Sequence, residues 1–120
     1  MKLDHVYSDK QLVITRTALP GLLFIMGAID YFNAAAVTKA LEKELHHSLN
    51  GSAEKNGDGR LRIDLSGLQF VDTSGVRAFV DVAQKASHRG GLVLHGLPPQ
   101  LRRVMELVGW GDVPGLVLDD

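Results

Sequence analysis

The chain predicts an α/β fold: a mixed β-sheet of four to five strands with amphipathic helices packed on it. Three observations carry this. Short apolar runs alternate with longer segments that are apolar on one face only. Two early runs are close enough to pair as a hairpin, which makes the sheet mixed. Each helical segment has an apolar face to cover, and a sheet is the partner that covers several such faces at once.

Gln11 to Thr17 alternates apolar and polar residues, and Leu22-Leu23-Phe24-Ile25-Met26 follows the Leu19-Pro20-Gly21 turn signal as a continuous apolar run. Asn33 is placed to cap a helix from Ala34 to Leu49. Its apolar face holds Val37, Ala40, Leu41 and Leu45 with Glu44 among them, while Lys39, Glu42, Lys43 and His46 lie opposite. Residues 50–59 are polar and glycine-rich without periodicity, a surface loop rather than a domain boundary, because neither flank buries a core alone. Leu61-Arg62-Ile63-Asp64-Leu65 is the next strand. The helix after Ser74 aligns Val76, Phe79, Val80, Ala83 and Ala86 before Arg89-Gly90-Gly91 ends it. Leu92 to Leu94 is a fourth strand. Pro98 and Pro99 open a third helix with Leu101, Val104, Met105 and Val108 on one face, Gly109 closes it, and Leu116-Val117-Leu118 is a last edge strand.

One domain over residues 1–120 is expected, since a chain of 120 residues buries roughly two-thirds of its unfolded surface. A net charge of −1 gives no drive toward nucleic acid or anionic membrane. The absence of cysteine excludes disulfides, a thiolate nucleophile and thiolate metal sites. Charges interrupt the apolar residues from Met1 to Lys10, so no signal-peptide core is read there, and no apolar run is long enough to span a bilayer. Membrane insertion is not expected, and the cytoplasm is the expected location.

The chemistry concentrates where a strand breaks at Asp72-Thr73-Ser74-Gly75 and restarts as a helix. Helix N-termini carry unpartnered backbone N–H groups and a partial positive charge that favours anions. Thr73 or Ser74 there is either a simple cap or a phosphoacceptor. Arg77 opposes the macrodipole at a cost of roughly 0.3–1 kcal/mol, offset either by Asp81 one turn on or by contact with a partner or phosphate.

This strand–Asp-Thr-Ser-Gly–helix passage resembles the anti-sigma-factor antagonist family, the small bacterial form of the STAS domain. The resemblance extends to Gly27-Ala28-Ile29-Asp30, Gly90-Gly91-Leu92-Val93-Leu94 and Pro99-Gln100-Leu101-Arg102-Arg103-Val104, nearly the whole chain. It implies a non-enzymatic protein whose partner is an anti-sigma factor that is itself a serine kinase, with a separate serine phosphatase. It also implies phosphorylation at Ser74, with Thr73 as the alternative acceptor, and a partner surface of Asp30, Asp72, Thr73, Ser74, Gly75 and Arg77. In that fold Asp30 and Asp72 flank Ser74; the other reading of Asp30 is a turn aspartate before Asn33. An unswitched scaffold or a transporter-associated subunit is the alternative function.

Other constellations are weaker. Glu54 to Leu61 imitates the first half of a calcium loop, but Leu65 stands where the bidentate Glu belongs. The G-x-S-x-G elbow and the phosphate loop are absent, and the adjacent His46 and His47 point to different helix faces. No metal and no cofactor are expected. Trp110, between two glycines, is either a lid on the core or a partner anchor.

Overall fold

The computed structural model describes residues 5–47, 60–87 and 90–119. Along the chain run β1 (His5–Ser8), β2 (Leu12–Arg16), β3 (Leu22–Ile29), α1 (Ala34–His47), β4 (Leu61–Val71), α2 (Thr73–Ala86), β5 (Leu92–His95), α3 (Pro99–Leu107), a 3₁₀ turn (Trp110–Asp112) and β6 (Leu116–Asp119). The strands form one sheet in the order β1-β2-β3-β4-β5-β6. The first three pair antiparallel and the last four parallel, with a helix in every parallel connection.

The mixed sheet is therefore as expected, with six strands among the described residues rather than four or five. The added strand is β1. It was illegible because its four residues hold only Val6 and Tyr7 between polar neighbours, and its place depends on backbone pairing with β2, not on an apolar pattern of its own. The calcium-like stretch at residues 54–59 and the end of the first predicted helix, residues 48 and 49, lie outside the described residues.

Alternation along β2, β3 and β4 turns Leu12, Ile14, Leu23, Ile25, Leu61, Ile63 and Leu65 to one side. They form a core with Val37, Leu41 and Leu45 of α1, Val76, Phe79 and Ala83 of α2, and Met105 of α3. β5 is buried at Leu92, Val93 and Leu94, as a strand with parallel neighbours on both sides often is. Gly109 ends α3 at φ 83°, in the left-handed region that glycine enters freely.

Glu44 is the one charged residue on the apolar face of α1, and Arg16 at the end of β2 explains it. The Arg16 guanidinium donates to both carboxylate oxygens, Nε to Oε2 at 2.8 Å and an η nitrogen to Oε1 at 2.9 Å. This bidentate pair pins the helix to the sheet. Arg16→Ala leaves the buried carboxylate without that cation and is expected to lower the unfolding free energy by about 2 kcal/mol, less than for a fully buried pair because Arg16 is half-exposed. Urea denaturation checks it, and Arg16→Met with Glu44→Leu should recover most of the loss.

Candidate functional site

β3 and β4 end side by side, with Ile29 paired to Val71, and each runs through a turn into a helix. Asp72, extended at φ −97° and ψ −175°, is the N-cap of α2: its Oδ1 accepts the Gly75 N–H at 3.0 Å. Its Oδ2 accepts the Tyr31 N–H at 3.1 Å, and its own N–H donates to the Ile29 carbonyl at 3.2 Å. The capping role left open between Thr73 and Ser74 thus belongs to Asp72. Thr73 is exposed and Ser74 half-buried, and neither hydroxyl has a partner among the described residues. Gly75 is buried for a steric reason: a Cβ there would lie 2.4 Å from Val71 Cγ2 and 2.8 Å from Ile29 Cγ2.

The neighbouring turn is held by a polar network. Asp30 Oδ1 accepts the Phe32 N–H at 2.9 Å, so the aspartate does make a local turn. Asn33 does not cap α1 with its side chain as expected. Its Oδ1 accepts the Asp30 N–H at 2.9 Å, while its Nδ2 donates to Ala28 O at 3.1 Å and Asp9 Oδ2 at 3.0 Å. Asn33 is buried, so its side chain turns back to where every polar atom finds a partner. Asp9 also accepts from Tyr7 Oη at 2.6 Å and from the N–H groups of Gln11 and Leu12 at 2.8 and 2.9 Å.

Between α1 and α2 runs a groove of about 420 Å³. Ala34, Ala35 and Thr38 line one side, Thr73, Ser74, Arg77, Ala78 and Asp81 the other, with Tyr31 and Trp110 completing it. Arg77, the fifth residue of α2, has its Nε 3.8 Å from Asp81 Oδ1, one of the two offsets its charge near the helix start suggested. Of the expected site residues, Thr73, Ser74 and Arg77 share this groove, whereas Asp30 and Asp72 brace the two turns and Gly75 lies beneath. Trp110 both packs against the core and faces the groove. His95, on β5, bonds Asp119 at 3.1 Å through Nδ1.

Sequence reasoning missed Tyr31 and Phe32. They are 77% and 90% exposed and meet edge-to-face with ring centroids 5.9 Å apart. The available signal was two adjacent aromatics in a turn, where no buried periodicity requires them.

A family model described as Mlab, STAS domain, matches residues 16–118. The chain belongs to the STAS domain family. It is 33% identical over 92 residues to an anti-sigma-B factor antagonist of Listeria monocytogenes, covering 76% of this chain and 73% of the relative, with the same figures for the Listeria innocua protein. Its fold is that of an anti-sigma factor antagonist from Mycobacterium paratuberculosis, at TM-score 0.63 and 20% identity over 92% of this chain and 88% of that one. It is also that of the Bacillus cell fate determinant SpoIIAA in its phosphorylated form, at TM-score 0.57 and 15% identity over 91% of each. These STAS antagonists are regulatory binding proteins, not enzymes. No helix among the described residues is long and apolar enough to cross a membrane.

The bracing of this STAS site is pH-sensitive in a defined direction. Burial of Asp9 alone would raise its pKa, but the hydrogen bonds from Tyr7, Gln11, Asn33 and Leu12 outweigh it and hold the carboxyl below the ordinary aspartate value. Tyr7 is pushed up to about 12, chiefly by its hydrogen bond to Asp9, then by burial and the adjacent charge. The Asp9 contribution is therefore complete above the ordinary aspartate range and lost as the pH falls through its lowered pKa; that of Tyr7 is complete below the ordinary tyrosine range and lost as the pH rises toward 12. Thermal melts below about pH 4 should fall less steeply for Asp9→Asn than for the wild type.

Proposed function

We propose that this chain is a cytoplasmic anti-sigma-factor antagonist that binds an anti-sigma factor serine kinase through the surface around Asp30, Asp72, Thr73, Ser74, Gly75 and Arg77, and is switched off by phosphorylation of Ser74. The carrying observation is the division of labour at the α2 N-terminus. Asp72 makes the cap, so the Ser74 hydroxyl stands half-buried at the lip of the groove with no bond to lose among the described residues. Asp30 and Asp72 act by fixing the backbone of the two turns that form this surface. The family relatives named as antagonists support the class of partner.

Ser74 Oγ attacks the γ-phosphorus of ATP on the kinase; the new O–P bond forms as the bond to the ADP oxygen breaks, and the hydroxyl proton leaves to a base on the kinase. The product carries about −1.5 to −2 charges at a helix end that tolerates an anion, so the fold persists. A partner fitted to the neutral hydroxyl then faces a desolvated dianion. That penalty is several kcal/mol, and each ~1.4 kcal/mol is tenfold in affinity. The kinase releases the antagonist and takes its sigma factor, and a serine phosphatase restores the antagonist.

The matching family model is named for Mlab rather than for an antagonist. That description specifies no switch, which leaves room for a second reading: an unswitched scaffold or transporter-associated subunit that keeps this surface without exchanging phosphate.

Incubation with lysate of the native host and labelled ATP separates the two. The wild type and Thr73→Ala should each gain one phosphate by intact mass, mapped to position 74, and Ser74→Ala should gain none. Label retained in Ser74→Ala but lost in Thr73→Ala moves the acceptor to Thr73. No label in any form, with a control protein labelled in the same lysate, favours the scaffold.

A further inference from the structure

Ser74 and Arg77 are three positions apart on α2, so their side chains share a helix face, and both line the groove. Arg77 is the cation among the groove's described lining residues. It is the fifth residue of α2, just past a first turn that holds no acidic residue, and the carboxylate at that helix end, Asp72, is engaged in the cap. Its ion-pair partner among the described residues is Asp81. The contact spans 3.8 Å from Nε to Oδ1, with the two side chains 69% and 44% exposed. At this length it is not a hydrogen bond, and exposed pairs of this kind hold weakly. A guanidinium with five donors is thus tethered loosely, one helical turn from an unbonded hydroxyl.

We propose that Arg77 is an intramolecular clamp for a phosphate on Ser74, exchanging Asp81 for the phosphate when the latter is installed. The proposal rests on the reading of Ser74 as the phosphoacceptor and adds how the phosphorylated surface is built. A phosphoserine offers three acceptor oxygens and up to two charges, against one distant carboxylate oxygen. Arginine is suited to that geometry because its planar donors engage phosphate in pairs. The exchange leaves Asp81 without its cation. Next in sequence to the lining residues Tyr31 and Thr73 stand two more carboxylates, Asp30 in its turn and Asp72 at the cap, while Lys85 farther along is held by Glu42 at 2.6 Å. Phosphorylation therefore does more than add charge at one atom: it draws the one cation of the described lining away from Asp81 and leaves that carboxylate uncompensated in the groove. A partner that meets Arg77 in the free form loses that contact.

The test is a ³¹P titration of protein with phosphoserine inserted at position 74 during translation, in wild-type, Arg77→Gln, Arg77→Lys and Asp81→Asn backgrounds, each shown folded by its thermal melt. The titratable and charged groups about the phosphate are Arg77 and Asp81 of α2, its cap Asp72, and Asp30 and Tyr31 of the β3–α1 turn. The carboxylates raise its second pKa and Arg77 lowers it. That pKa should rise by roughly half a unit in Arg77→Gln, stand between wild type and Arg77→Gln in Arg77→Lys, and fall in Asp81→Asn, where the competitor is gone. An unchanged value in Arg77→Gln overturns the clamp. Because the phosphate is placed without a kinase, this failure is separate from that of the switch. Host labelling of Ser74 with no shift in Arg77→Gln removes the clamp alone, and a shift with no host labelling removes the switch alone.

Discussion

One carboxylate joins the two turns on which this site depends. Asp72 takes the Gly75 amide on one oxygen and the Tyr31 amide on the other, while its own amide reaches back to the Ile29 carbonyl. Two parallel strands that end at the same level are thereby locked to the helices that follow them. The C-terminal ends of parallel strands are where open α/β sheets place their working surfaces, because the loops there diverge into helices and leave a crevice. Here the crevice is the groove between α1 and α2, and its geometry follows from where those two helices start. Gly75 completes the constraint: the helix begins so close to Val71 and Ile29 that no Cβ fits.

This arrangement divides the structural duties among four consecutive residues. Asp72 caps, Gly75 gives clearance, and the hydroxyls of Thr73 and Ser74 have no partner among the described residues. A modification at Ser74 would break no bond that the described residues make with its hydroxyl, as the proposed reversible switch requires. A second layer stiffens the same surface from behind. Asp9, Tyr7 and Asn33 tie the β1–β2 turn to the β3–α1 turn. The exposed pair Tyr31 and Phe32 is thus carried on a backbone that is already ordered. Aromatics held this way lose little entropy on binding, the property shared by side chains that anchor interfaces.

The parts of the fold with strong periodicity were legible in the sequence. The α2 face of Val76, Phe79, Val80, Ala83 and Ala86 is buried as its spacing implied, and the hairpin and later strands lie where their apolar runs stood. Failures came where tertiary contacts override local signals. β1 has little pattern of its own and is ordered by pairing. Asn33 carries a residue type that reads as a cap, yet burial turned its side chain to Asp30, Asp9 and Ala28. At the site, the hydroxyl pair was visible as a motif, but the choice of Asp72 as the cap depends on one extended residue whose geometry a string of letters does not carry. Glu44 read as a charge on an apolar face until Arg16, 28 positions away in the chain, was placed against it.

The claim that Asp72 holds both turns is tested most directly by amide hydrogen exchange, resolved at single residues, in the wild type and in Asp72→Ala. The account predicts that the Tyr31 and Gly75 amides are both protected in the wild type and both lose protection together in the variant, while amides in the middle of β4 and α2 change little. A Tyr31 amide that exchanges as fast in the wild type as in Asp72→Ala would contradict it, since the two turns would then be ordered independently.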